Sequence, residues 1–357
     1  MQKAHTSGRS RKFGFTPLFY RFLHCFLADV VIDEPGTTGA FFPPGDFAGN
    51  IQISFSSVGN NKPFHALLID CIPDLHLTGD TQCFPLYTYA LDGKIRRDNV
   101  TDWALAQFQA QYGPDVTKRD IFHYVYGLLH SPEYRERYKE NLKRELPRIP
   151  LVGGAGEEGG EDSPQPPIMG EQDKDQDKDQ DKDQDKDQDK HQDKHQDKDQ
   201  AGPLQTPVPP LLGARGNPAP FRRFVSAGAT LAALHIGYEQ AEEYPLEPKK
   251  SPDVPFSWRV SKMRLSKDKT AVVVNEALTL AGIPPETFDY KLGNRSALDW
   301  VLDQYQVSTD KRSGIETDPN RADDPEYIVR LVRRVVTVSV ETVKTVKALP
   351  NLTTSPA

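Results

Sequence analysis

DIFHYVYGLLHSPEYRERYKENLKRELPRIPLV, residues Asp120 to Val152, packs two helices, their caps and a proline-rich exit into a stretch with almost no slack. Thr117, just ahead of it, suits a helix cap because its hydroxyl accepts an amide hydrogen left unpaired at a helix start. Asp120 then takes the reciprocal capping-box position. Ile121, Tyr124, Val125 and Leu128 recur at helical spacing, which puts them on one side of a helix and makes that side a core face. Ser131 and Pro132 restart the chain in the favoured way, since proline at the first helical position lacks an amide that would go unpaired there. Tyr134, Tyr138, Leu142 and Leu146 continue the apolar stripe over a second helix, predicted from Pro132 to Glu145. Arg135, Arg137, Lys139, Lys143 and Arg144 line its other sides, and Pro147 and Pro150 end it.

Composition divides the chain. Hydrophobic residues at 37% are lean for 357 residues, and thirty prolines with 27% charged residues point to a part that does not fold. From Glu171 the tetrad xQDK runs EQDK, DQDK four times and HQDK twice before ending at Gln200, with no apolar residue from which to build a core. Removing the ten net negative charges of Val152 to Gln200 from the formal −7 leaves +3 for the remainder, a balance that suits a nucleic-acid surface. Cys25, Cys71 and Cys83 lack the spacing of a zinc site or a disulfide framework, which fits a reducing cytoplasm. Arg21, His24 and Asp29 interrupt the apolar patches near the start, so no membrane span is expected.

Along the chain, Asp29 to Asn50 reads as loop, Ile51 to Ser56 as a half-buried strand followed by a turn at Gly59-Asn-Asn, Phe64 to Ile72 as a buried strand and Phe84 to Tyr89 as a short one. Helices are predicted over Asp102–Tyr112 and Lys118–Leu129. Pro203 to Pro220 extends the unpacked connector, and a helix resumes from Phe221 to Tyr238. Trp258–Leu265 and Thr270–Asn275 predict a hairpin tipped by Lys267, Asp268 and Lys269. Ser296–Gln304 and Pro325–Val346 predict helices. In the last of these, β-branched Val335 to Val340 is also compatible with strand, but Ile328, Leu331, Val332, Val335, Ser339, Thr342, Val343 and Val346 recur at helical spacing. The class is mixed α+β, short strands plus helices, with a long disordered insertion.

The opening stretch resembles the C-terminal specificity region of type ISP restriction-modification enzymes, bacterial single-chain proteins joining a nuclease, a helicase-like translocase, an adenine methyltransferase and a target recognition domain. NKPFHALLIDCIPDLHLTGDTQCFPLY from Asn61, TDWAL from Thr101, AGIPPETFDYKLGNRSALDWVLDQYQVSTDKRSGIETDPN from Ala281 and DDPEYIVRLVRRVVTVSVETVKTVKALP from Asp323 carry the same resemblance. RKFGFTPLFY from Arg11 is similar to the family's joint with the methyltransferase. The resemblance implies a ragged segment over 1–28, one recognition domain in two parts over 29–152 and 221–350, an inserted linker over 153–220 and a tail over 351–357. It also implies duplex DNA as partner, a methyltransferase and translocase portion either lost from this chain or encoded upstream, and S-adenosylmethionine for that methyltransferase, with no cofactor bound by this chain.

The residues themselves offer no catalytic set. An adenine methyltransferase needs a glycine-rich turn for its methyl donor and an Asn/Asp-Pro-Pro-aromatic loop for the flipped base. Gly153-Gly-Ala-Gly156 has no helix behind it, and Asp324-Pro-Glu-Tyr327 replaces the second proline and opens a helix. Pro73-Asp74 lacks the acidic-x-Lys triplet of a nuclease. His123 and His130 lack metal-pair spacing, and His191 and His195 sit in the repeat. What remains is recognition, because Arg and Lys donate to guanine edges and neutralise phosphates. The candidates are Lys62 in a turn, Arg259, Lys262 and Arg264 on the hairpin, Arg295 before a helix, and Thr309, Lys311, Arg312 and Ser313 in a loop where Gly314 permits close backbone approach. Trp103, Trp258 and Trp300 are assigned to the core. A decayed or truncated fragment acting only as a protein-interaction module is the alternative reading.

Overall fold

The structure, a computed structural model, describes residues 50–56, 59–60, 62–71, 81–89, 95–153 and 217–352. The readings of segments 1–28 and 29–49, Cys25, Pro73-Asp74, the repeat with His191 and His195, and the tail after 352 lie outside these residues. The described residues on both sides of 154–216 belong to one compact unit.

Helices α1 (Asp102–Tyr112), α2 (Lys118–His130) and α3 (Pro132–Arg137) precede that intervening segment. Helix α4 (Pro218–Ile236) follows it, and α5 (Ala297–Gln304) and α6 (Tyr327–Lys347) lie further on. The predicted capping box forms at α2: the Thr117 hydroxyl accepts from the Asp120 amide while the Asp120 carboxylate accepts from the Thr117 amide. Ser131 caps α3 with Pro132 behind it. Helices α2 and α4 cross at Gly127 and Gly228, so closely that a Cβ on Gly228 would stand 1.9 Å from the His123 carbonyl oxygen and one on Gly127 2.5 Å from that of Phe224. Phe108, Tyr112, Tyr124 and Phe221 fill the space beside the crossing, with Tyr112 and Phe221 stacked at 4.2 Å.

Strands β1 (Gln52–Ser56), β2 (Ala66–Ile69) and β3 (Thr81–Pro85) form an antiparallel sheet in the order β2-β1-β3. Strand β2 is buried on both faces: Ala66 and Leu68 enter the helical core around α2, whereas Leu67 and Ile69 enter a second core. That second core lies under a four-stranded antiparallel sheet in the order β6-β9-β8-β7, built from β6 (Glu247–Lys250), β7 (Arg264–Leu265), β8 (Ala271–Val273) and β9 (Leu278–Ala281). Helices α5 and α6 close it. Three short hairpins complete the set: β4 (Tyr87–Tyr89) with β5 (Arg96–Asp98), β10 (Lys291–Leu292) with β11 (Arg295–Ser296), and β12 (Ser308–Thr309) with β13 (Glu316–Thr317). The architecture is mixed α+β. Among the described residues no helix is long and apolar enough to cross a membrane.

Several expectations change. Helix α2 buries more than one face, because Phe122 stacks on Phe84 and the Tyr126 hydroxyl accepts from the outward Leu68 amide on edge strand β2. The helix after Ser131 stops at Arg137 rather than Glu145, and Leu146 is 57% exposed. The chain instead turns back through Asn141–Lys143, so that the carbonyls of Arg148, Pro150 and Val152 accept hydrogen bonds from Tyr134, Tyr124 and Tyr112. Strand β1 is covered on both faces, and its polar side finds partners within the protein: Gln52 donates to the Cys71 carbonyl and Ser56 bonds His65. Residues 258–263 are not strand. The side-chain amides of Asn275 and Asn320 take the backbone groups of Ser257, Arg259 and Val260 that a neighbouring strand would have taken. Trp103 stands 63% exposed on α1 rather than in the core, while Trp258 and Trp300 pack partly buried against the second core. The β-branched run Val335–Val340 is helical, inside α6.

Candidate nucleic-acid interface

The loop from Thr309 to Gly314 is the tip of the β12–β13 hairpin, and Asp310 shapes it. One oxygen of its carboxylate accepts from the Arg312 amide (2.9 Å), the Ser313 amide (2.7 Å) and the Ser313 hydroxyl (2.9 Å). Its backbone carbonyl accepts from the Gly314 amide, and Gly314 holds a φ of 71°. These bonds stabilise the ionised form and lower the Asp310 pKa, the Ser313 amide contributing most. The result is a turn set in advance, with the side chains of Lys311 and Arg312 exposed and, among the described residues, free of any carboxylate partner. Ile315 beside them is 66% exposed. An apolar side chain next to two free cations suits a groove where thymine methyl groups and base-edge acceptors lie side by side. Sequence reading passed over Ile315, and the signal was its presence in an otherwise polar tip.

The hairpin base brings two further candidates alongside. Val307 donates its amide to the Ser261 carbonyl, and Asn320 clamps Val260 from the other side. Arg259 therefore lies against the hairpin, where it pairs with Asp318 at 2.7 Å, and Lys262 follows it, exposed and unpaired among the described residues. Asp318 is held below its ordinary pKa first by hydrogen bonds from Asn320 and then by Arg259, so the arginine braces the hairpin. Arg259 and Lys262 do not sit on a strand as expected. Only Arg264 does, exposed on β7 opposite Val273.

The remaining candidates go elsewhere. Arg295 on β11 pairs with Asp303 (3.0 Å) and lies over the Trp300 ring, which occupies its guanidinium within the protein. Lys62 lines a separate cleft beneath α3 and β10. Asp324-Pro-Glu-Tyr327 leads into α6, but the Asp324 carboxylate pairs with Arg330 and caps no amide. Among the described residues no group of three His, Cys, Asp or Glu side chains is placed to hold a metal ion.

A family model described as the Type ISP C-terminal specificity domain matches residues 2–156 and 203–331. Comparison with curated proteins gives no match. Among solved structures, a nuclease-deletion mutant of the Type ISP restriction-modification enzyme LlaGI, in complex with a DNA substrate mimic, is 29% identical with a TM-score of 0.58, over 88% of this chain and 22% of that one. The DrdV–DNA complex is 33% identical with a TM-score of 0.62, over 88% and 26%. The ATP-dependent Type ISP enzyme LlaBIII bound to DNA is 26% identical with a TM-score of 0.62, over 88% and 17%. This chain thus spans about a quarter or less of the length of the proteins it matches. With matched sequence on both sides of the intervening segment and one fold joining them, the chain belongs to the Type ISP C-terminal specificity domain family.

Proposed function

We propose that this chain recognises duplex DNA in a sequence-specific way, as the specificity module of a type ISP restriction-modification system. In this reading S-adenosylmethionine is bound by the methyltransferase portion of such a system. The observation that carries the reading is the likeness over 88% of the chain to three proteins described in complex with DNA or a DNA substrate mimic. The β12–β13 tip supports it with two free cations and an exposed apolar residue on a turn already fixed by Asp310. In this reading the tip meets base edges, Arg264 and Lys262 contact the backbone nearby, and the chain works in the cytoplasm, where it meets DNA. Selection from a random duplex pool with the purified chain, followed by sequencing at low and physiological salt, tests it. An enriched motif is expected; salt-sensitive retention without a motif, or no retention, overturns the reading.

A further inference from the structure

We propose that the cleft between the β1–β2 turn, α3 and the β10–β11 hairpin binds phosphate groups, which in the function proposed above are those of the DNA backbone. Lys62, Arg135 and Lys291 converge on it from three elements far apart in sequence, around a cavity of about 580 Å³ edged by Lys139 and Lys143. A second cavity of about 290 Å³ shares Arg135 and Lys291 and reaches Lys347 at the end of α6. The two form one basic track, a shape that suits a chain of phosphates better than a single ion.

Arg135 is the built part of this site. Its Nε donates to the Leu129 carbonyl at 2.6 Å and its guanidinium lies 5.8 Å from the Phe64 ring centre, so the head group is held in place. The Nη groups have no partner among the described residues. Burial pushes its pKa down to about 10, which marks a half-buried cation with no carboxylate in exchange. Of the nearby carboxylates, Glu136 pairs with Lys139 at 3.5 Å and Glu140 with Lys143 at 2.8 Å, while Asp289 lines both cavities and is outnumbered there by Lys62, Arg135 and Lys291. A fixed guanidinium with both amino groups free matches two phosphate oxygens at once, and Lys62 and Lys291 supply charge on either side.

Backbone contacts weaken all sequences alike, which separates this cleft from a base-reading element. The test measures duplex binding by anisotropy over a range of salt, using a selected motif and a scrambled duplex, for the purified chain with Arg135→Gln or Lys291→Gln. Thermal melts verify folding. Arg135→Gln is expected to lose about tenfold on both duplexes. Each substitution should lower the salt slope by about 0.9. Should Arg135→Gln fail to fold, the exposed Lys291→Gln and the turn variant Lys62→Gln carry the test. Unchanged affinity and slope in these overturn the cleft, and so does a loss confined to the motif duplex. If the unaltered chain binds no duplex, the proposed function fails separately, and titration with inorganic phosphate decides the cleft. Amide shifts at residues 133–139 and 291–293 then support a phosphate site for a free ligand, and their absence overturns it.

Discussion

Alanine at Gly228 would place a methyl group 1.9 Å from the His123 carbonyl oxygen, and the atom it meets is helix backbone that cannot rotate away. We expect Gly228→Ala to cost about 3 kcal/mol or more, read as a lower urea midpoint with little change in slope. A midpoint within error of the parent would show that α2 and α4 do not meet as described. Neither Gly127 nor Gly228 announces this role in the sequence, because helical patterning counts apolar side chains and a glycine in a helix reads only as weak propensity. His235 is a second buried position with a consequence. It bonds the Tyr126 and Thr342 hydroxyls, and burial, reinforced by the Arg135 charge, lowers its pKa to about 3. An unfolded histidine takes up a proton below about 6.5. The unfolded chain therefore binds more protons between pH 6.5 and 3, and stability is full above that window and lost as pH falls through it. His65, lowered to about 4, and His130 act in the same direction. Each histidine adds at most about 1.4 kcal/mol per pH unit. Melts at pH 7.5 and 5.0 should therefore diverge less in His235→Gln than in the parent, and equal divergence would refute the assignment.

Elements whose signal is local were legible. The caps at Thr117 and Ser131 and the stripe of α6 follow from spacing alone, and they formed as read. Elements that depend on distant partners were not. Residues 258–263 look like strand, yet Asn320, some sixty positions on, takes the Val260 backbone groups. The helix from Pro132 is cut short because tyrosines on α1, α2 and α3 hold the exit carbonyls. Of the candidate site, the tip was legible as a Gly-bearing basic loop, but its β12–β13 frame was not, since two-residue strands carry no periodicity. The cleft was invisible because Lys62, Arg135 and Lys291 share no local pattern. For the tip the expectation is direct: Lys311→Glu with Arg312→Glu should weaken duplex binding and reduce its salt dependence, and alter which bases are preferred, while leaving the melt unchanged. These side chains are exposed and make no ion pair among the described residues, so folding has little stake in them. Unchanged binding at several salt concentrations would remove the tip from the interface.

The two parts of the chain are joined by more than the segment between them. The Asn217 amide donates to the Gly153 carbonyl at 2.9 Å, which brings the two ends of residues 154–216 together at one point. Arg222 on α4 reaches back to Asp115 and Asp120, the latter being the α2 capping-box carboxylate, and Phe221 and Phe224 sit in the same core as Tyr124. The fold therefore needs those ends near each other, and the repeat between them carries no apolar side chain to bury. Deleting Glu171–Gln200 roughly halves that length, and each halving recovers about 0.6 kcal/mol of loop-closure entropy. For a protein of this size the gain appears as a rise in Tm of about 1–2 °C. The deletion also removes a net six negative charges. If the chain binds DNA as proposed, affinity should rise at low ionic strength and converge with the parent at high salt, where charges beyond a Debye length no longer act on one another. A fall of several degrees in Tm would mean that the repeat packs on the domain. A gain in affinity that persists at high salt would mean that it occupies the binding surface directly rather than repelling DNA from a distance.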